Sequence, residues 1–255
     1  MLRSFIRWNR RVSERICLLF PHARLNLEIY FDQAVVKAAS GVRQTSTILD
    51  VGGGRRCTFS KQFPVRSAVH ITTLDASQTE MDLNKDVDRT VQGDASGGLP
   101  FPDASFDVVS ARYAIEHFPD QSVFLRESFR FLRPGGHLCI LSPNRYAPYA
   151  LINRVVQPDK PLDQEVAFEA FYDQCSPRQL RRAMEKAGFT VATLRVGYFQ
   201  SFYFAFFLPL CMMFLALEIV VAALGLQDLS AGMLVVARKG PERISQPLPD
   251  LALSA

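Results

Sequence analysis

The stretch TILDVGGG, residues 47–54, constrains this chain more than any other. β-prone and apolar residues lead into an acid and a run of glycines, which is how a buried parallel strand ends in a tight turn. AVVKAAS (34–40) before it reads as the end of a helix. After it, VHITTLD (69–75), the weaker DRTVQGD (88–94), FDVVSA (106–111) and HLCILSP (137–143) read as further strands. A helical pattern over 121–132 is stopped by Arg133-Pro134-Gly135-Gly136. SPRQLRRAMEKAGF (176–189) reads as a helix capped by Ser176, with Pro177 in its first turn and Gly188 at its end. TVATLRVG (190–197) and AGMLVVARK (231–239) then supply two last strands. Strands alternating with helices predict an α/β fold, a mostly parallel sheet with helices on both faces.

A turn written Asp50-Val51-Gly52-Gly53-Gly54 lets the backbone approach a ligand closely and offers free N–H groups to an anion. A dinucleotide fingerprint would place glycine or alanine where Cys57 stands, and would not put an acid directly before the first glycine step. An acid beside the glycines suits a ligand carrying a cationic group as well as a carboxylate, and S-adenosylmethionine has both. Asp75, at the end of the second strand, is placed to accept hydrogen bonds from two ribose hydroxyls, and Asp94 after Gly93 to accept one from an adenine amino group.

ILDVGGG, LDAS, QGDASGGLPFPDASFDVVSARYAIEHFPD and FLRPGGHLCILSPN resemble, in order and spacing, the class I S-adenosylmethionine-dependent methyltransferases of the UbiE-like (methyltransferase type 11) family. The resemblance covers residues 46–144 and continues more loosely from 176 onward. It implies a Rossmann-like seven-stranded sheet and S-adenosyl-L-methionine as cofactor. By position, Asp50, Gly52 and Gly54 would hold the methionine end, Asp75 the ribose and Asp94 the adenine, with Ala95 beside the adenine ring. Arg55 and Arg56 depart from the small residues often found after the glycines, so the grip on the methionine carboxylate would differ in detail.

Methyl transfer from a sulfonium is an in-line displacement, so alignment and exclusion of water carry much of the catalysis. A base is required only where the acceptor loses a proton. Tyr113, Glu116 and His117 follow the fourth strand, at the carboxyl edge where open α/β sheets bind ligands, and form the candidate catalytic set. His117 is the best candidate base, because an imidazole takes up a proton near neutral pH. Against that, Glu116-His117 is usual in the family whatever the acceptor, so a positional role stays open. The irregular segment 144–172, with Tyr146, Tyr149, Phe168, Phe171 and Tyr172, reads as a cover over the acceptor site.

Two features lie outside this scheme. Residues 201–226, SFYFAFFLPLCMMFLALEIVVAALGL, are long enough to span a bilayer but lie between the last two strands, so a single crossing would split the sheet between compartments. Pro209 and Glu218 also argue against a span. The stretch is expected to turn back as an apolar helical insertion (198–227): a hairpin dipping into one leaflet, a helix lying on the surface, or a homodimer contact. At the N-terminus, Leu2, Phe5, Trp8, Val12, Ile16 and Leu19 recur at helical spacing, while Arg3, Arg7, Arg10, Arg11 and Arg15 largely occupy the other faces. That is how an interfacial helix on anionic lipid is built.

The expected organisation is therefore a basic amphipathic arm and helix (1–40), a methyltransferase domain (41–240) and a disordered Pro-rich tail (241–255). Five cysteines without a CxxC pair argue against a disulfide framework or zinc site and suit a reducing compartment, and no metal is expected. The net charge of +4 is mild, and no nucleic-acid partner is expected. ICLLF (16–20) is too short for the core of a secretory signal. The expectation is a cytoplasmic enzyme, peripheral or monotopic at the membrane, methylating a lipophilic acceptor such as a quinone precursor, isoprenoid, lipid or lipid-linked glycan. The alternatives are a soluble dimeric methyltransferase of small molecules and a non-catalytic S-adenosylmethionine-binding assembly factor.

Overall fold

The structure, a computed structural model, describes residues 2–20, 27–40, 45–95, 97–147, 170–199 and 201–240. Tyr149, Phe168 and the 241–255 tail lie outside the described residues. In chain order the elements are α1 (Leu2–Cys17), α2 (Leu27–Ala39), β1 (Ser46–Val51), β2 (Val69–Asp75), α3 (Gln78–Asp82), β3 (Arg89–Gln92) and β4 (Phe106–Arg112). They continue with α4 (Gln121–Phe131), β5 (Leu132–Pro143), α5 (Pro177–Lys186), β6 (Phe189–Gly197), α6 (Leu208–Ala223) and β7 (Gly232–Lys239).

The seven strands form one sheet in the order β3-β2-β1-β4-β5-β7-β6. Neighbours from β3 to β5 are parallel, whereas β7 runs antiparallel to both β5 and β6. Alternation along the strands divides the core between the two faces. On one, Ile48, Val108, Cys139, Leu141 and Leu234 pack beneath Phe31 and Val35 of α2. On the other, Leu49, Val109, Leu138, Ile140 and Val235 pack against Phe124 and Leu125 of α4 and Leu180 and Met184 of α5. The order reverses at β1, with β2 on one side and β4 on the other, which opens a crevice at their carboxyl ends.

Caps stand where the sequence sets them. Ser176 Oγ accepts from the Gln179 N–H (3.3 Å) at the start of α5, and Gly188 beyond its end takes φ +99°. One strand differs from expectation: β5 begins at Leu132 rather than His137. Phe106 pairs with Leu132 and Val108 with His137, so the ladder steps over residues 133–136. Arg133 fastens this bulge by donating to the buried Asp107 Oδ2 at 2.9 Å.

The apolar stretch is a single helix, α6, between short 3-10 turns at Ser201–Phe204 and Gln227–Leu229, and not a helical hairpin. The connection that carries it leaves β6 and enters β7 at the carboxyl edge of the sheet, where Gly197 pairs with Gly232. Among the described residues, no helix is long and apolar enough to cross a membrane. α1 packs on α6, and of the row of large apolar residues that its sequence offers Ile16 joins the seam, whereas Phe5, Trp8 and Leu19 stay exposed. The buried flank of α1 is Asn9, Ser13 and Cys17. Small polar side chains let the helices approach, and they satisfy backbone groups in return. Asn9 Oδ1 accepts from the Leu208 N–H (2.9 Å), capping α6 from another helix where Phe207 cannot, and Ser13 Oγ donates to the Ala205 carbonyl (3.3 Å). Cys17 and Cys211 meet in the same seam with sulfurs 4.0 Å apart, and all five cysteines are free and buried.

Candidate functional site

The chain leaves β1 at Val51 and turns sharply over the carboxyl ends of β2 and β4. Gly52 takes φ +71°, and a Cβ there would stand 2.6 Å from the Ala114 Cβ. At Gly53 a Cβ would lie 2.1 Å from Thr73 Oγ1 and 2.6 Å from Asp50 Oδ2. All three distances are shorter than real Cβ contacts, so the loop needs glycine to press against its neighbours. The Gly54 N–H donates to Asp75 Oδ2 (3.0 Å) and the Ser77 N–H to Asp75 Oδ1 (2.8 Å), so one carboxylate ties the glycine loop to the turn after β2. A carboxylate has about four lone-pair sites, which leaves acceptor capacity for a further donor.

Two adjoining cavities share Gly52 and Tyr113. The first, of about 200 Å³, is lined by Gly52, Leu74, Asp75, Gly93, Asp94, Ala95, Tyr113, His117 and Phe118 among others. Its walls pair an apolar slab with the strand-end carboxylates. The second, of about 380 Å³, holds Asp50, Gly53, Arg55, Arg56, Thr58 and Arg112 together with Phe31 of α2. Asp50 is buried, Ser110 Oγ donates to its Oδ1 at 2.7 Å, and burial pushes its carboxyl up to about 7. Arg55 is engaged with Glu80, and Arg112 pairs with Glu28 at 2.7 Å and donates to Thr58 Oγ1 at 2.7 Å.

The three candidate catalytic residues separate. Tyr113 lies between the cavities with φ +51°, a left-handed conformation that is rare for a bulky residue and characteristic of functional turns. Its N–H donates to the Leu141 carbonyl at 2.8 Å, which holds the turn on β5, and burial raises its phenol above the ordinary value. His117 ends the 3-10 turn Ile115–His117 and lines the first cavity. Glu116 is 4% exposed and does not line either cavity. Consecutive residues of a 3-10 turn project about 120° apart, so neighbours in sequence face opposite ways. Burial raises the Glu116 carboxyl to about 8, and its Oε2 has no hydrogen-bond partner among the described residues. Its carbonyl accepts from the Phe171 N–H, which fastens the far end of the 144–172 segment beside the site. Tyr146, Phe171 and Tyr172 do not line either cavity.

Asp50, Gly52, Asp75, Asp94 and Ala95 thus stand together as the sequence expects, with Gly54 bonded to Asp75 behind them. Sequence reasoning named Gly53 only as part of the glycine turn and missed Arg112 and Phe118, although Arg112 could have been found by the strand-end logic that found Tyr113. Glu28 and Phe31 arrive from α2, with no local signal. An apolar slot with carboxylates next to a compartment holding a carboxylate and guanidinium groups fits an adenosine joined to an amino acid.

A family described as methyltransferase domain matches residues 24–194. The ubiquinone/menaquinone biosynthesis C-methyltransferase UbiE of Hahella chejuensis is 36% identical over 112 residues, which are 40% of this chain and 45% of that protein. The protein of the same name from Nitrosospira multiformis is 30% identical over 182 residues, covering 63% of this chain and 72% of that protein. The chain therefore matches somewhat less than half the length of the first of these relatives. The crystal structure of an S-adenosylmethionine dependent methyltransferase from Mesorhizobium loti is 17% identical and superposes with a TM-score of 0.52, covering 82% of this chain and 98% of that one, a likeness of fold.

Proposed function

The chain belongs to the methyltransferase domain family, and on that premise we propose that it is a class I S-adenosylmethionine-dependent methyltransferase that works at a membrane surface on a lipophilic acceptor. The acceptor classes are a quinone precursor, another isoprenoid, a lipid or a lipid-linked glycan. The observation that carries the reading is the position of the apolar α1–α6 module at the same sheet edge as the two cavities. The quinone class draws support from the name of the relatives from Hahella chejuensis and Nitrosospira multiformis.

S-adenosylmethionine supplies an electrophilic methyl group when bound. On this reading Asp75 takes the ribose hydroxyls, Asp94 and Ala95 the adenine, and Asp50 with Gly52 and Gly54 the methionine end. Asp50 receives the ammonium best as a carboxylate, so its raised pKa links cofactor affinity to pH near neutrality. Tyr113 and His117 line the space beside the methionine compartment and are the groups that orient the acceptor. His117 takes the proton where the acceptor must lose one. Glu116 acts behind them, fixing the turn that carries His117. Incubating the purified chain with methyl-labelled S-adenosylmethionine and either total lipid extract or water-soluble phenols and amines tests the reading. Label in the lipid fraction is expected, and label only in the water-soluble products would replace it with a soluble small-molecule methyltransferase.

A further inference from the structure

S-adenosylmethionine ends in an amino acid, so the compartment that takes it must meet an ammonium and a carboxylate borne on one carbon. Asp50 answers the ammonium. For the carboxylate the second cavity offers Arg55 and Arg56, which follow the glycine turn, and Arg112, which ends β4. Arg55 is engaged elsewhere: its Nε and Nη2 donate to the two carboxylate oxygens of Glu80, and its side chain is 58% exposed. Arg56 is exposed, and its side chain makes no hydrogen bond or ion pair among the described residues. A carboxylate caught there would have to order a solvated side chain, and an ion pair in open water is worth little.

Arg112 differs on each count. In the register of β1 and β4, Asp50 lies opposite Ser110, and Arg112 is two residues further on. The side chains of Asp50 and Arg112 therefore share the sheet face that α2 covers. Their charges interact, because burial raises the Asp50 carboxyl while the Ser110 bond and the Arg112 charge oppose the rise. The Arg112 side chain is 25% exposed and is fixed from two sides. Its Nη2 pairs with Glu28 of α2 at 2.7 Å, and its Nη1 donates to Thr58 Oγ1 at 2.7 Å. The Thr58 hydroxyl gives its own proton to Asp32 Oδ1 (2.7 Å), so it faces Arg112 as an acceptor alone. Among the described residues these contacts use two of the five guanidinium N–H groups, which leaves donors for another carboxylate.

We infer that Arg112 is the carboxylate anchor of the methionine end, held in place by Glu28 and Thr58, and that it makes the site select a cofactor with an intact amino acid. The inference rests on the S-adenosylmethionine reading above and names the group on which its specificity turns. A guanidinium already fixed by two partners loses little further freedom when it binds, and partial burial strengthens its pairing over one in open water. Recognition of the carboxylate thereby passes from the glycine turn, where the sequence departs from the small residues of the family, to the end of β4.

Calorimetry with S-adenosylmethionine and with its decarboxylated form, which keeps the sulfonium and the amine and lacks only the carboxylate, tests this. The wild type should prefer the carboxylated ligand by about 10- to 150-fold. Arg112→Gln should bring that ratio close to one, with affinity for the decarboxylated ligand unchanged or somewhat higher because a neighbouring cation is gone. Binding of that ligand also shows that the variant is folded. Arg112→Lys keeps the charge without the planar fork and should restore only part of the ratio. Arg56→Gln should keep the wild-type ratio. Equal loss of both ligands in Arg112→Gln would leave Arg112 a structural role alone, and a full ratio in that variant, or a ratio lost in Arg56→Gln, would put the carboxylate elsewhere. Each of these results overturns the inference while the cofactor reading stands. A wild type that binds neither ligand would remove the cofactor reading and the inference with it. No acceptor takes part in these measurements, so the lipophilic-acceptor reading fails separately, by label transfer.

Discussion

Replacing Asp75 by asparagine keeps the shape of the side chain and removes its charge, and the structure sets the size of two separate effects. Oδ1 and Oδ2 accept from the Ser77 and Gly54 N–H groups at 2.8 and 3.0 Å. An amide has one acceptor oxygen, so one of these donors must face an NH2 group. A donor left unsatisfied in a partly buried place costs about 1–3 kcal/mol of stability, which in a domain of this size lowers the melting temperature by about 2–4 °C per kcal/mol. The second effect is on the cofactor. Losing hydrogen bonds to a charged acceptor costs about 1.5–3 kcal/mol, or about 10- to 150-fold in S-adenosylmethionine affinity. Calorimetry on the variant and scanning fluorimetry on the cofactor-free protein read the two independently. Alanine at the same position should weaken binding at least as much without unfolding the domain, since the β2 ladder and the bond from the Gly93 N–H to the Asp75 carbonyl (3.0 Å) survive. S-adenosylmethionine affinity unchanged in Asp75→Asn would refute the ribose assignment.

His117→Ala should leave cofactor affinity nearly intact, with turnover reduced about 100-fold or more if the imidazole is the base and less if it only positions the acceptor. A large loss of cofactor binding would contradict both roles. Gly53→Ala should cost about 1–3 kcal/mol in thermal unfolding, because the added methyl lands on Thr73 and Asp50. Wild-type stability there would mean the loop is not pressed against β2. Asp50 and Glu116 have folded pKa values of about 7 and about 8, both above the ordinary carboxylate range of about 4. The native state therefore holds protons that the unfolded chain has released, so these groups' contribution is full in acid and falls as pH rises through about 7 and about 8. Melting temperatures of Glu116→Gln should accordingly decline less than those of the wild type between about pH 5 and 9, and parallel curves would place the proton elsewhere.

Most of the sheet was legible because buried parallel strands are short apolar runs with acids and glycines at their ends, and TILDVGGG and VHITTLD carry both signals. The same strand ends made Asp50, Asp75 and Asp94 legible. Other parts were not. The early start of β5 depends on Arg133 meeting Asp107 from a different strand, which no local pattern announces. Glu116 and His117 look equivalent in sequence, and only the 3-10 turn sends one into the core and the other to the cavity. The seam between α1 and α6 was hidden for a related reason. Periodicity points to the large residues of α1, yet the helices meet through Asn9, Ser13 and Cys17, whose value lies in close approach and in backbone groups on the other helix. Two apolar segments that looked separate therefore pack on each other, with Ile16 of α1 in the seam and Phe5, Trp8 and Leu19 left exposed.

Transfer of methyl label from S-adenosylmethionine into the organic phase of a total lipid extract is the most direct measure of the account. The purified chain should label a lipid product, Asp75→Asn should do so only at raised cofactor concentration, and His117→Ala should bind the cofactor while labelling more slowly. Tight S-adenosylmethionine binding with no label in the organic phase from any lipid extract, under conditions where water-soluble acceptors are methylated, would contradict it.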